Sequence, residues 1–314
     1  MSSALDAREH DTRPAPSASK RRRGVLLPVL FVLLGVGVLL YPVGATLWNN
    51  VVQTRVAREY DALLAQSPKA DIDHELESAR AYNRDRTTGP ILDPWLARIS
   101  PDNADYQAYL HELDAFPMMG RIEIPSIGVD LPILHGTAPS VLDKAVGHLY
   151  GSDLPIGGEG THTVLTGHTG LSKATLFDNL VKVEKGQRFL LHVAGQTLAY
   201  RVVDIRTVLP DEADGLGHDG TRDLATLITC TPYGINSHRL LVTGERVPYE
   251  PQEDAATPAA ASSLFQGWML PFVAGAALTL LVLIVFAARE RRRRRTDPVK
   301  EQDDARDRKD ETAL

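Results

Sequence analysis

Two uncharged apolar segments lie near the ends of the chain, and each carries a basic cluster on its outer side. Gly24 to Leu47 follows Lys20, Arg21, Arg22 and Arg23, while Leu264 to Ala288 precedes Arg289 and the run Arg291 to Arg295. Each is long enough to cross a bilayer as a helix, for which about 20 apolar residues suffice. Basic clusters favour the cytoplasmic side, so both tails are expected inside and everything between the spans outside. Trp48 and Trp268 sit at the ends of the spans away from those clusters, where an indole prefers the interface. The middle of the chain is therefore expected to fold as an outward-facing domain tethered at both ends. The alternative for the first segment is a signal sequence cleaved after Val43-Gly44-Ala45, which makes Thr46 the first residue; its long apolar run favours a span.

The 314 residues are 43% hydrophobic, enough for a substantial core in one or two domains. A net charge of −6 gives no general pull toward nucleic acid. The single cysteine, Cys230, excludes an internal disulfide and argues against a thiolate metal site, so no metal or cofactor is assigned.

Residues 1–23 read as a polar, disordered cytoplasmic tail, and 24–47 as the first span. Across 48–119, Val52, Val56, Tyr60 and Leu63 recur at helical spacing, as do Ile72, Leu76, Ala79 and Tyr82 after Pro68. Two helices broken near Pro68 are predicted. Pro90 and Pro94 then force an extended or turned path through Gly89 to Trp95. From Gly120 the texture turns to β. Ile122 and Ile124 alternate with polar residues, then Ile127, Val129, Leu131 and Ile133. Apolar runs follow at Val164-Leu165, Phe189 to Val193, Leu198 to Val208, Leu227-Ile228 and Leu240 to Val242. Val193 to Thr197 reads as a hairpin turn, and Leu176, Phe177, Leu180 and Val183 as a short helix. Many short strands over 120–248 predict a sandwich or closed barrel. An Ala/Pro/acidic linker, 249–263, leads to the second span at 264–288 and a charged cytoplasmic tail, 289–314.

Cys230 ends an apolar run, a Pro/Gly/Asn turn follows, and Arg239 opens the next run. Two strands joined by that turn bring thiol and guanidinium side by side, a nucleophile next to a charge stabiliser. A buried cysteine is more often an inert small hydrophobe, but this one sits at a strand end in an outward-facing domain. The thiol needs a base or a cationic neighbour. Six of the ten histidines remain as candidates: His135, His148, His162, His168, His218 and His238. His168 is singled out because it ends an apolar run between Gly167 and Gly170, where backbone can approach a ligand closely. Asp178, Asp219 and Asp223 stay open as its acidic partner. A metal site of His162, His168 and His218 is disfavoured by irregular spacing.

Leu165-Thr166-Gly167-His168 and Thr226-Leu227-Ile228-Thr229-Cys230, followed by Arg239-Leu240-Leu241-Val242, resemble the signature of the sortases, cysteine transpeptidases of Gram-positive cell surfaces. The likeness runs from about Gly120 to Arg246. It implies a closed eight-stranded β-barrel with short helices, which joins the helical region and the two transmembrane helices already read from the chain. It implies a catalytic set of His168, Cys230 and Arg239. The second span, the extended helical region and Asp93-Pro94-Trp95 resemble the pilin-polymerising class C sortases. That likeness implies a lid in which Asp93 pairs with Arg239 and Trp95 covers Cys230. The implied reaction cleaves an LPxTG-type sorting signal between Thr and Gly through a thioester, then transfers the acyl group to a lysine amine of a pilin subunit. Thr229 and Thr231 are expected to offer hydroxyl contacts to substrate. The expected partners are sorting-signal proteins, an acceptor lysine and the lipid bilayer. Attachment of proteins to peptidoglycan, plain cysteine endopeptidase activity and a non-catalytic tethered scaffold are the rival readings.

Overall fold

The computed structural model describes residues 18–85, 100, 102–210, 212, 215–251 and 266–311, with side chains described within 27–292. The chain divides into two compact units. One spans Pro42–Met269; the other gathers the chain up to Tyr41 and from Leu270 onward.

Helix α1 runs unbroken from Ala18 to Gln66 and α5 from Met269 to Glu311. Both carry stretches long and apolar enough to cross a membrane, at mean hydropathies of 2.3 and 2.6. The chain breaks at Ser67-Pro68 and resumes as α2, Lys69–Asp85, as the proline requires. Of the helical set Val52, Val56, Tyr60 and Leu63, only Tyr60 is buried, and the face of α1 that meets the domain is offset by one position. Gln53, Ala57 and Tyr60 are buried while Val52 and Val56 remain half-exposed, because the barrel meets the helix one position round. Tyr60 fixes the contact: its hydroxyl donates to the Met119 carbonyl at 3.1 Å and accepts from the Ala194 amide at 2.7 Å. On α2, Leu76 and Ala79 are buried as predicted, and Ile72 and Tyr82 pack on the same core.

Eight strands close into a barrel: β1 Gly120–Ile124, β2 Val129–His135, β3 Val146–His148, β4 His162–Thr166, β5 Arg188–Val193, β6 Gln196–Val208, β7 Leu224–Thr231 and β8 His238–Val247. Their order round the barrel is β1-β2-β3-β4-β7-β8-β6-β5. The β2–β3 and β4–β7 pairs are parallel and the rest antiparallel. Closure removes free sheet edges. The predicted hairpin is a two-residue turn in which Ala194 (φ 44°) and Gly195 (φ 74°) both adopt left-handed backbone, matching the strand twist. Ile127 falls in a 3-10 turn, Pro125–Ile127, rather than in a strand, with Gly128 at φ 65° before β2 begins. The helix expected around Leu180 is a single 3-10 turn, Leu180–Lys182. Among the described residues, two further short helices are α3 Ala104–Leu110 and α4 Pro139–Leu142.

Period-two alternation sorts the strands into two faces. Leu165, Ala225, Leu227, Leu240 and Val242 point into the barrel core with Ile122, Ile133, Phe189 and Leu191. Val164, Ile228 and Leu241 point outward and form a second apolar cluster with Leu149 and Leu216. Leu216 lies in the connection from β6 to β7, which therefore crosses this outer face.

Candidate active site

β7 and β8 pair in a register that sets Cys230 directly opposite Arg239. Residues directly opposed in an antiparallel pair share a face at about 5 Å. Both are buried, at 6% and 7% exposure. Both share the parity of the outward-facing Ile228 and Leu241, so thiol and guanidinium stand outside the core, at the end of the strands. Arg239 Nη1 donates to the carbonyls of Asn236 and His238, each at 3.3 Å. The turn that returns the arginine is closed by Ile235 and Asn236 amides donating to the Pro232 carbonyl, with Asn236 at φ 59°.

The third residue arrives on β4. Thr166 is level with Ile228 in the parallel ladder, and the Gly167 amide extends that ladder by donating to the Ile228 carbonyl at 3.0 Å. The Thr229 hydroxyl returns a bond to the Gly167 carbonyl at 2.7 Å. Two residues on from Thr166 lies His168; two residues on from Ile228 lies Cys230. The same step in two parallel strands brings imidazole and thiol to one rim of the barrel. The His168 carbonyl accepts from the Phe177 amide at 3.0 Å, which closes the loop between them. Gly167 has to be glycine here: a Cβ would meet the fully buried Phe177 ring at 2.6 Å.

Partial burial holds the His168 imidazole below its ordinary value, Asp143 opposes that shift, and Lys173 adds to it. Among the described residues, Asp143 is a carboxylate whose charge bears on His168, and the sequence did not single it out. Of the three carboxylates left open, Asp219 pairs with Arg222 at 2.7 Å, and Asp223 accepts from the Tyr200 hydroxyl at 2.9 Å. Asp178 lies in the His168 loop but bonds to Thr169 and Gly170.

The other candidate histidines have hydrogen-bond partners elsewhere. His135 Nε2 lies 2.6 Å from the Glu112 carbonyl, and His148 lies between Tyr109 and the Asp153 carbonyl. His162 bridges Thr226 and the Gly217 carbonyl, and His218 meets Asp153 at 2.7 Å. His238 meets Ser237 at 2.8 Å. His162 opens β4 and His168 lies two residues past its end, about 20 Å apart by strand rise. Thr229 is fully buried with its hydroxyl on Gly167, whereas Thr231, next to Cys230 in the chain, is half-exposed. Asp93 and Trp95 lie outside the described residues.

Residues 122–247 match the family model for the sortase domain. Sortase A of Bacillus anthracis is 30% identical over 135 residues, which cover 43% of this chain and 62% of that protein. The chain spans about three fifths of the length of the curated relatives it matches first. Among solved structures, sortase C-1 from Actinomyces oris is 59% identical, with a TM-score of 0.56, covering 57% of this chain and 99% of that one. Sortase C of Streptococcus pneumoniae, described for catalysis and pilin substrate specificity, is 42% identical with a TM-score of 0.57, covering 62% and 97%.

Proposed function

This chain belongs to the sortase family, and from that premise we propose that it is a membrane-anchored, class C transpeptidase that links pilin subunits covalently. The observation that carries the reading is the register pairing Cys230 with Arg239, with His168 reaching the same rim along a parallel strand. The high identity to sortase C-1 of Actinomyces oris and the likeness to a pilin-specific sortase C support the class.

In the proposed reaction the Cys230 thiol gives its proton to His168 and attacks the threonine carbonyl of an LPxTG-type signal. A neutral imidazole is needed for that step, and burial favours it. Arg239 donates to the developing oxyanion and steadies the substrate. Collapse of the tetrahedral adduct breaks the Thr–Gly bond, and His168 hands its proton to the departing glycine amine. The acyl group stays on sulfur as a thioester. A neutral lysine ε-amine of the next subunit then attacks, its proton passes to His168 and on to the sulfur, and an isopeptide bond results. Water must be excluded meanwhile, a task the reading gives to Trp95, with Asp93 occupying the guanidinium fork of Arg239. Both tails lie in the cytoplasm, and the barrel faces outward.

The test is mass spectrometry of the full-length chain in detergent after incubation with an LPxTG-type peptide. A thioester adduct on Cys230, lost in Cys230→Ala and converted to isopeptide product by a lysine-bearing pilin peptide, is expected. No adduct in the wild type or in Trp95→Ala sinks the reading. Adduct released only by a peptidoglycan amine favours wall anchoring.

A further inference from the structure

The segment that follows His168 returns on itself, and one carboxylate closes it. Asp178 Oδ1 accepts from the Gly170 amide at 2.7 Å and from the Thr169 hydroxyl at 3.0 Å. Its own amide donates to the Thr175 carbonyl at 2.8 Å, and its neighbour Phe177 holds the His168 carbonyl. Three consecutive residues, His168, Thr169 and Gly170, are thus tied to the stretch Phe177-Asp178. Asp178 is 8% exposed, so those bonds are largely shielded from competing water.

The loop also abuts the turn that delivers Arg239. Gly170 adopts φ 79°, and a Cβ there would stand 3.5 Å from the Gly234 amide nitrogen. From that turn Tyr233 faces Asp178: burial raises the phenol, and the nearby carboxylate raises it further. Within the loop, the groups facing Asp178 are the uncharged Thr169 and Gly170. No cation shifts the Asp178 carboxyl among the described residues, so its charge is held by hydrogen bonds alone.

We infer that Asp178 is a positioning residue for the transfer reaction, fixing the backbone from which His168 presents its imidazole to Cys230. An ionised carboxylate is a stronger acceptor than a neutral acid, roughly twofold by bond strength, so the clamp is firm when Asp178 is charged. Burial pushes the Asp178 carboxyl up to about 6, against an ordinary 3.8. The clamp therefore loosens as pH falls through a range in which an unburied aspartate would stay charged.

The kinetic part of the test rests on the transpeptidase reading, whereas its spectroscopic part does not. Asp178→Asn keeps an acceptor oxygen and removes the titration; Asp178→Ala removes both. In full-length chain, peptide cleavage by the wild type is expected to decline as pH drops through about 6. The ratio of wild-type to Asp178→Asn rates should change over that range, since any limb due to His168 is common to both. Asp178→Ala should lower kcat roughly tenfold to hundredfold with little change in KM, as for a misplacement of ~1 Å. Should no peptide be cleaved by the wild type, the transpeptidase reading fails and imidazole NMR decides this inference separately. His168 ring signals should shift and broaden in Asp178→Ala, and shift in the same direction but less far in Asp178→Asn at neutral pH, where a neutral acceptor replaces a charged one. A pH-independent rate ratio, or His168 signals in Asp178→Ala that superimpose on the wild type, would overturn the inference.

Discussion

Lys173 Nζ lies 2.7 Å from Asp143 Oδ2, and the two act on His168 with opposite sign. The pair brings a cation and an anion to bear on one imidazole. Each is about half exposed, so each effect is modest and screened by salt. Lys173→Ala is expected to raise the His168 pKa and Asp143→Ala to lower it. Proton NMR titration of the His168 ring at two ionic strengths checks both, and equal shifts of the same sign would refute the arrangement.

Gly167→Ala forces a methyl into Phe177 at 2.6 Å, and the ring is fully buried, so close packing resists its displacement. The backbone must move instead, taking His168 with it. A loss of kcat of about a hundredfold is expected, with a stability cost of about 1–3 kcal/mol from overpacking. Urea melts and cleavage assays on the same preparation separate the two effects.

Tyr60→Phe tests how α1 is docked on the barrel. The phenol bridges Met119 and Ala194, and burial pushes it up to about 12, so it stays a donor throughout the working range. Phenylalanine keeps the packing and leaves the Ala194 amide and the Met119 carbonyl unpaired, at a cost of about 1–3 kcal/mol. Peptide cleavage should be unchanged, because the lesion lies in the helix contact and at the hairpin turn.

Asp178→Asn should stabilise the fold at neutral pH. The folded-state value, about 6, lies above the ordinary 3.8, so the native state holds the proton more tightly than the unfolded chain. The stability this gives is present below 3.8 and is lost as pH rises through about 6. At neutral pH the buried charge therefore costs at most about 3 kcal/mol, which the amide avoids. Thermal melts should show the variant ahead at neutral pH and level with the wild type near pH 3.8. A gap that does not close in acid would disprove the burial argument.

The parts of the fold written in local patterns could be read from the chain. Pro68 breaks the helices where expected, Ala194-Gly195 makes the hairpin, and the turn after Cys230 returns Arg239 beside it. The parts decided by distant segments could not. β3 is three residues long, too short for any period, and exists because β2 and β4 flank it. Asp143 lies 25 positions before His168 and reaches it only because β3 and β4 are neighbours in the barrel. The helical spacing of Val52 and Val56 was genuine, yet which face of α1 is buried depends on where Met119 and Ala194 lie. The histidines illustrate the same division. Glycines marked His168, but only tertiary partners show that His148 and His162 are occupied elsewhere.

The strand that bears Cys230 is laddered on both sides, to β4 in parallel and to β8 in antiparallel. A long fibre hanging from that sulfur would drag on the strand along its own axis. Every hydrogen bond of two ladders would then share the pull in shear, instead of parting one after another from a free edge. On the proposed reading, an attachment point at the tip of such a doubly held strand would let the domain grip a growing polymer under mechanical tension without being unravelled by it.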